Sequence, residues 1–191
     1  MTMAERPTII EFVEKYTEKW NDLTFLREKI GGTWTETSFT QTKKEAYRIG
    51  AGLMSLGLAK GDKVALLSEG RNLWVLYELG LLYAGAVNVP LSVSLNENEL
   101  LFRIQHSEAR FIIVSRNHLA KVRSILPQCP EVETVVVLDE LDSYQDKETS
   151  ISAVAEAGDA FLAEKADEFE KRFRSVGPDD YATVSYTSGT T

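Results

Sequence analysis

Residues 63–91 have the sequence KVALLSEGRNLWVLYELGLLYAGAVNVPL, and this stretch decides the fold class. It opens with an apolar run at 63–68, continues through a segment at 72–84 that we interpret as a helix, and closes with a second apolar run at 86–91. Short apolar strands without polar alternation are typical of a parallel sheet covered by helices on both faces. The stretch therefore predicts a strand, a helix and a strand.

The same alternation continues toward higher residue numbers. Asn96 is placed to cap a helix that runs to residue 107, and FIIV at 111–114 follows as a strand. A helix at 117–126 and the strand TVVVL at 134–138 complete the next unit. We therefore expect an α/β fold in which a parallel-rich sheet is flanked by helices.

On the amino-terminal side the pattern predicts a helix, a hairpin and a second helix. Residues 8–20 have apolar side chains near helical spacing, and Thr8 can cap their start. Gly31 and Gly32 stand between two β-prone runs, where glycine reaches positive φ without strain, and they predict a hairpin turn. Residues 40–56 predict the second helix and end at a glycine.

The composition indicates a globular protein. The chain has 191 residues, of which 43% are hydrophobic and 26% charged, with a formal net charge of −8. This composition differs from that of disordered chains, and the acidic balance disfavours a broad nucleic-acid interface, which is usually basic. No amino-terminal signal sequence is visible, so we expect a cytoplasmic protein.

The negative charge is concentrated in residues 139–171. This segment contains eleven acidic and three basic residues, so it carries the entire −8 while the remainder is balanced. Its apolar side chains follow a helical stripe that we expect to be interrupted near Gly158. The segment predicts a helix with a solvated acidic face, and an acidic docking surface for a basic partner is the alternative.

Few residues outside the end of the chain suggest chemistry. Cys129 is the single cysteine, which excludes an intrachain disulfide and, with His106 and His118, leaves too few soft ligands for a zinc site. We interpret the two histidines as structural or surface residues and Cys129 as an inert loop thiol. The tryptophans are expected to pack in the core: Trp20, Trp34 and Trp74.

Residues 73–91 imitate a membrane span because most of them are apolar. Glu78 near the middle is costly in a bilayer, and Asn88 and Pro90 interrupt the far end. We therefore interpret this stretch as a helix followed by a buried strand.

The end of the chain carries the strongest chemical signal. Residues 180–186 predict a strand that runs into Thr187, Ser188, Gly189, Thr190 and Thr191. A glycine lets the backbone approach a phosphate closely, and small hydroxyls donate further hydrogen bonds to its oxygens. Hydroxyl-rich turns of this length are common, so the loop alone leaves phosphate binding open.

Several stretches together resemble the acyl-adenylate-forming superfamily. YTSGTT at 186–191 is similar to the first half of the phosphate-loop signature of that superfamily, and GLAKGDKVA at 57–65 is similar to its turn into the first core strand. Residues 79–91 resemble the following helix and strand. HSEAR at 106–110 and PDD at 178–180 are most like the long-chain fatty acid CoA ligases.

This resemblance implies a two-step reaction and a set of ligands. A carboxylate such as a fatty acid would attack ATP to give an acyl-AMP and pyrophosphate, and coenzyme A would then take the acyl group as a thioester. Mg²⁺ would accompany ATP. By motif match the phosphate contacts would be Thr187, Ser188, Gly189, Thr190 and Thr191.

The resemblance also implies that the chain is an incomplete AMP-binding domain. The superfamily signature continues with Gly, a variable residue, Pro and Lys, and the sequence stops at Thr191. We divide the domain into an α/β core at 1–138, an acidic helical segment at 139–175, and a strand with the start of the phosphate loop at 176–191. We expect an N-terminal fragment of the large N-terminal domain that is inactive by itself.

Two other functions stay open from the sequence. The chain could come from an adenylation domain that loads a carrier protein, or it could be a non-catalytic interaction module that docks through its acidic segment. The sequence does not indicate the acyl chain length of the substrate or the oligomeric state of the protein. Peripheral contact with the inner face of a membrane is compatible with a long-chain substrate, although the charge of −8 opposes attraction to anionic lipid.

Overall fold

The computed structural model describes residues 6–187, and this part of the chain alternates helices and strands. The elements in chain order are α1 (Ile9–Trp20), β1 (Thr24–Ile30), β2 (Thr33–Ser38), α2 (Phe39–Ser55), β3 (Lys63–Leu67), α3 (Asn72–Tyr83), β4 (Val87–Pro90), α4 (Glu97–Ser107), β5 (Ala109–Val114), α5 (Arg116–Ile125), a 3-10 turn (Leu126–Gln128), β6 (Thr134–Val137), β7 (Glu148–Ser150) and α6 (Ile151–Arg174). The side chains of Thr8 and Asn96 cap α1 and α4 as predicted.

The main sheet has five strands in the order β4-β3-β5-β6-β7. Every neighbouring pair is parallel. The chain leaves β3 toward β4 at one edge and then returns through α4 to β5 on the other side of β3, which makes the sheet doubly wound. This confirms the predicted α/β class with a parallel-rich sheet between helices.

Two apolar cores lie on opposite faces of the sheet. In β3, Val64 and Leu66 join the core that contains α2, α3 and α6, whereas Ala65 and Leu67 join the core that contains α4 and α5. Successive side chains of a strand point to opposite faces, so a strand buried on both faces needs an apolar residue at every position. This explains the uninterrupted run in the sequence.

The predicted amino-terminal hairpin is present as β1 and β2. Gly31 and Gly32 have φ of +56° and +89°, and they connect the antiparallel strands. Trp34 in β2 was expected in the core, and this prediction is wrong because Trp34 is 55% exposed. It lies on the outer face of the hairpin, where the guanidinium of Arg27 sits 4.9 Å from the centre of its ring.

Most of the acidic segment lies in α6, which begins at Ile151 and packs against α2. The expected interruption near Gly158 is wrong because helical geometry continues through this residue. The missing side chain lets the two helices approach closely, and non-helical backbone angles occur instead at Lys165. The acidic side chains lie mostly on the exposed surface, whereas Phe169 and Phe173 are buried in the core.

Strand β7 was not predicted from the sequence. Its residues belong to the acidic segment, for which the sequence predicts only a helix. It pairs with β6 over three residues at the edge of the sheet. Glu148 in β7 receives two hydrogen bonds from Arg123 in α5, of 2.7 and 2.8 Å, and these contacts fix the short strand.

The predicted strand at 180–186 is reduced to one bridge, between Asn88 of β4 and Thr183. The amide of Asn88 donates to the carbonyl of Ala182, and the amide of Val184 donates to the carbonyl of Asn88. The next donor on β4 would be Pro90, which has no N–H. The ladder therefore cannot continue, which is the physical reason for the correction.

Within residues 6–187, no helix is long and apolar enough to cross a bilayer. Residues 73–91 contribute to α3 and β4 of the sheet domain, as the sequence predicted.

Candidate functional site

The candidate site is the start of the hydroxyl-rich loop, beside the free edge of β4. Residues 182–184 run parallel to β4 and are joined to Asn88 by hydrogen bonds of 3.0 and 2.9 Å. Because the segment is parallel to β4, it carries the chain toward the carboxyl end of that strand. Ligands of open parallel sheets commonly bind beyond the carboxyl ends of the strands, so the loop begins at a favourable position.

A salt bridge holds the segment where it approaches the sheet. Lys60 Nζ lies 2.8 Å from Asp180 Oδ2 and donates a second hydrogen bond of 2.6 Å to the carbonyl of Ser175. Asp180 also accepts from the amide of Gly177 at 2.8 Å. The hydrogen bond from Lys60 lowers the pKa of Asp180, so the carboxylate is ionised at neutral pH. The turn before the segment is thus tied to the loop that precedes β3.

Helix α4 holds the other end of the segment. The hydroxyl of Tyr186 is 2.9 Å from His106 Nδ1 and 3.4 Å from the carbonyl oxygen of Arg103, to which it donates. The guanidinium carbon of Arg103 lies 5.6 Å from the centre of the Tyr186 ring. The imidazole of His106 meets the same ring edge-on, with centroids 5.7 Å apart. We had interpreted His106 as a structural or surface residue, and the structure places it beside the loop.

The structure describes only the first predicted phosphate contact. Thr187 follows Tyr186 directly and is exposed. The other four, Ser188, Gly189, Thr190 and Thr191, lie outside the described residues. Their role in phosphate binding therefore stays a prediction from the motif.

A polar pair joins the edge strand β4 to α3. Asn88 is fully buried, and its side-chain amide donates to Glu78 Oε1 at 2.9 Å. The side-chain oxygen of Asn88 has no hydrogen-bond partner among the described residues. Sequence reasoning treated Glu78 and Asn88 only as obstacles to a membrane span. Their spacing across the turn from α3 to β4 gave no indication that they would form a pair.

A second polar cluster occupies the carboxyl ends of β3, β5 and β6. Glu69 accepts a 2.9 Å hydrogen bond from Asn117 and lies 3.0 Å from His118 Nε2. The hydrogen bond from Asn117 is the main cause that lowers the pKa of Glu69 to about 2. Arg71 makes a bidentate pair with Asp139 at 2.8 and 3.0 Å. These polar contacts tie the loops after three strands together.

The single thiol is buried, and the acidic groups of residues 6–187 do not form a metal site. Cys129 is buried, and burial raises the pKa of its thiol, which makes the nucleophilic thiolate scarcer and agrees with our interpretation of an inert residue. Among residues 6–187, no three His, Cys, Asp or Glu side chains gather as a metal site would require. A cavity lined by Ile10, Ala86 and Tyr181 opens at the amino end of β4.

Comparison with protein families identifies the chain. Residues 13–191 match the family described as AMP-binding enzyme, which is nearly the full length. The chain therefore belongs to this family, in agreement with the resemblance carried by the loop and the upstream stretches.

Curated relatives include ligases of fatty acids. The chain is 25% identical over 191 residues to the long-chain-fatty-acid–CoA ligase FadD15 of Mycobacterium bovis, covering 100% of this chain and 30% of the relative. It is 28% identical to the uncharacterised acyl–CoA ligase YtcI of Bacillus subtilis, covering 96% of this chain and 32% of the relative. The chain thus spans about a third of the length of the curated relatives that it matches.

Solved structures share the fold. The long-chain-fatty-acid–CoA ligase FadD1 of Archaeoglobus fulgidus superposes with a TM-score of 0.77 at 18% identity, covering 97% of this chain and 36% of that one. The anthranilate CoA ligase AuaEII gives a TM-score of 0.76 at 24% identity, covering 99% of this chain and 34% of that one. The described fold is therefore that of the N-terminal domain of adenylate-forming enzymes.

Proposed function

We propose, with membership in the AMP-binding enzyme family as the premise, that this chain is the N-terminal part of an ATP-dependent acyl-CoA synthetase. We call the longer protein the parent. Its substrates would be ATP, coenzyme A and a carboxylate, with long-chain fatty acids as the carboxylate class. The similarity to the FadD15 ligase supports long-chain fatty acids as the carboxylate. The similarity to the anthranilate CoA ligase AuaEII concerns the fold alone, so the experiment below also includes an aromatic acid.

The observation that carries the proposal is the position at which the hydroxyl-rich loop begins. Thr187 follows a segment that is fixed at the edge of β4 between the Lys60–Asp180 salt bridge and the contact of Tyr186 with α4. A loop held at its root can present backbone N–H groups and hydroxyls to a phosphate without a large loss of conformational entropy. The motif supplies the residue types for that task, and the fold supplies a fixed starting point.

In the proposed reaction the loop binds the β- and γ-phosphates of ATP. A carboxylate oxygen of the substrate forms a bond to the α-phosphorus, and the bond from that phosphorus to the bridging oxygen breaks, so that pyrophosphate leaves. The sulfur of coenzyme A then attacks the acyl carbon, loses its proton, and displaces AMP. The loop contributes position and charge stabilisation for the departing pyrophosphate, which are the main terms in phosphoryl chemistry.

Mg²⁺ would enter with ATP, bound to phosphate oxygens. The loop offers hydroxyl oxygens at Thr187, Ser188, Thr190 and Thr191, which are hard donors of the kind that Mg²⁺ accepts. We propose that the parent acts in the cytoplasm, where ATP and coenzyme A are available, with any membrane contact being peripheral. Nucleic acid is not proposed as a partner because the chain is acidic.

Pyrophosphate release by the parent tests this function. A panel of palmitate, octanoate and benzoate, each with ATP and coenzyme A, should give the highest kcat/KM with palmitate. Thr190→Val should lower kcat/KM for ATP about 10- to 100-fold because a hydrogen bond to a charged oxygen is lost. Thr33→Val, which removes an exposed hydroxyl from the hairpin, is the matched control and should leave the rate unchanged.

Two outcomes would replace the proposal. Adenylation without thioester formation on coenzyme A, but with transfer to a carrier protein, would identify a carrier-loading adenylation domain. Absence of pyrophosphate release with every carboxylate would favour a non-catalytic interaction module. The 191-residue chain alone should show no ATP–pyrophosphate exchange, and exchange by this chain would contradict our expectation that it is inactive by itself.

A further inference from the structure

We propose that Arg103 and His106 of α4 form a clasp around Tyr186 that positions the phosphate loop, a role that rests on the proposed function. Arg103 and His106 are three residues apart, so they lie on the same side of the helix. Tyr186 is separated from them by about 80 residues in sequence and immediately precedes Thr187. The clasp therefore joins the residue before the loop to α4, on the face of the sheet that α4 and α5 cover.

The hydroxyl of Tyr186 has two partners on α4. It lies 2.9 Å from His106 Nδ1, where the imidazole tautomer decides which atom donates, and 3.4 Å from the carbonyl oxygen of Arg103. The Arg103 guanidinium lies 5.6 Å from the ring centre, in range of a cation–π contact. Three separate contacts converge on one side chain, which restrains both the direction and the rotation of Tyr186.

Helix α4 is a firm support for this clasp. Asn96 and Glu99 form a capping box at its start, and Leu100 and Ile104 are buried in the core between the helix and the sheet. The Arg103 and His106 backbone positions are thus fixed by packing that does not involve the loop. Rigid support of this kind is what a binding loop needs to keep its donors near the productive geometry.

Kinetics of the parent test the positioning role. Tyr186→Phe removes the hydroxyl and keeps the ring, and His106→Ala removes its partner. Each should raise the KM for ATP about two- to tenfold, the range expected for one hydrogen bond, with the KM for the carboxylate unchanged. The effects of the two changes should be less than additive in free energy in the double variant, because both remove the shared hydrogen bond between His106 and Tyr186. His106→Asn, whose side-chain amide offers both a donor and an acceptor near the position of Nδ1, should recover most of the loss.

Gln105→Ala is the matched control on the same helix. The side chain of Gln105 is exposed and donates a 2.8 Å hydrogen bond to the carbonyl of Gln128, away from Tyr186. It should leave the KM for ATP unchanged. An equal rise of both KM values, additive effects in the double variant, or the same effect from Gln105→Ala would overturn the clasp.

A measurement on the 191-residue chain separates the clasp from the proposed function. Nitrogen NMR of the His106 ring should show a shift at Nδ1 when Tyr186 is changed to Phe, with His118 as the internal reference. Pyrophosphate release by the parent without that shift would refute the clasp and keep the function. The shift without pyrophosphate release by the parent would refute the function and, with it, the role of the clasp in ATP binding.

Discussion

Gly158 of α6 lies against the carbonyl oxygen of Arg48 in α2 so closely that a β-carbon at Gly158 would stand 2.0 Å from that oxygen. The contact is reciprocal, because a β-carbon at Gly52 of α2 would stand 2.1 Å from the carbonyl oxygen of Val154 in α6. The side chain of Arg48 then continues to Asp159, with two hydrogen bonds of 2.7 Å. Backbone contact at Gly52 and Gly158 thus sets the distance between α2 and α6.

We expect Gly158→Ala to destabilise the chain. The added methyl group meets backbone that cannot rotate away, and such overpacking costs about 1–3 kcal/mol, more than the roughly 1 kcal/mol by which alanine favours a helix over glycine. Urea unfolding of the 191-residue chain measures the difference. Gly70→Ala is the control, since a β-carbon there meets nothing within 4 Å. Equal or higher stability of Gly158→Ala would show that the helices can separate without cost.

A second prediction concerns stability at alkaline pH. Tyr83 is fully buried, and its hydroxyl donates a 2.7 Å hydrogen bond to Glu14. Burial, and then this hydrogen bond, raise the pKa of the Tyr83 phenol above its usual value. Above about pH 10 the folded state retains the phenolic proton, whereas the unfolded state releases it. The contribution of Tyr83 to the free energy of unfolding is therefore complete below about pH 10 and is lost as the pH rises further.

The matching experiment compares the stability of Tyr83→Phe with that of the unchanged 191-residue chain between pH 8 and 11. The variant should be less stable by about 1 kcal/mol at pH 8, where a hydrogen bond is lost, yet its stability should fall less steeply above pH 10. Tyr181→Phe is the control because Tyr181 is 81% exposed. Identical slopes for Tyr83→Phe and the unchanged chain would argue that Tyr83 titrates normally.

The sequence predicts the parts of this fold that depend on local pattern. The runs around β3 and β5 are apolar at nearly every position because each strand is buried on both faces, and this identifies a parallel sheet without further information. Gly31 and Gly32 identify the hairpin because few other residues adopt positive φ there. Such signals are contained within a few neighbouring residues.

The remaining features depend on residues distant in sequence. Gly158 resembles a helix breaker until the backbone of α2 is placed against it. Trp34 is apolar enough for a core, but its register in the hairpin directs it outward beside Arg27. The pairing of His106 with Tyr186 is equally invisible to local reasoning, because it requires α4 and the last segment to lie side by side.

Strand β7 gives a third prediction. The side chain of Glu148 is only 1% exposed, and the hydrogen bonds from Arg123 lower its pKa. Glu148 therefore binds a proton less readily in the folded state than in the unfolded state. Its contribution to the free energy of unfolding is complete above about pH 5 and is lost as the pH falls through the lowered pKa. Glu148→Gln should reduce the free energy of unfolding at pH 7 by about 2–3 kcal/mol and flatten its decline toward acid pH.

The control for this strand is an exposed pair with similar geometry. Arg174 Nε lies 2.7 Å from Glu170 Oε1, but both side chains are more than half exposed. Glu170→Gln should therefore change stability by less than about 0.5 kcal/mol. Equal effects of the two substitutions would indicate that the Arg123–Glu148 pair is no more important than a surface contact.

The last prediction concerns the segment that leads to the loop. Lys60→Met removes the cation that binds both Asp180 and the carbonyl of Ser175, while the aliphatic part of the side chain is kept. Residues 182–184 would then rely on the two backbone hydrogen bonds with Asn88 and on the contacts of Tyr186 with α4, so we expect the amide of Val184 to exchange with deuterium about five- to tenfold faster. Lys63→Met is the matched control, because Lys63 pairs at 3.0 Å with the exposed Glu108 and does not contact the segment. Unchanged exchange at Val184 in Lys60→Met would mean that β4 and α4 fix the start of the loop without the salt bridge, which would lose its part in the proposed site.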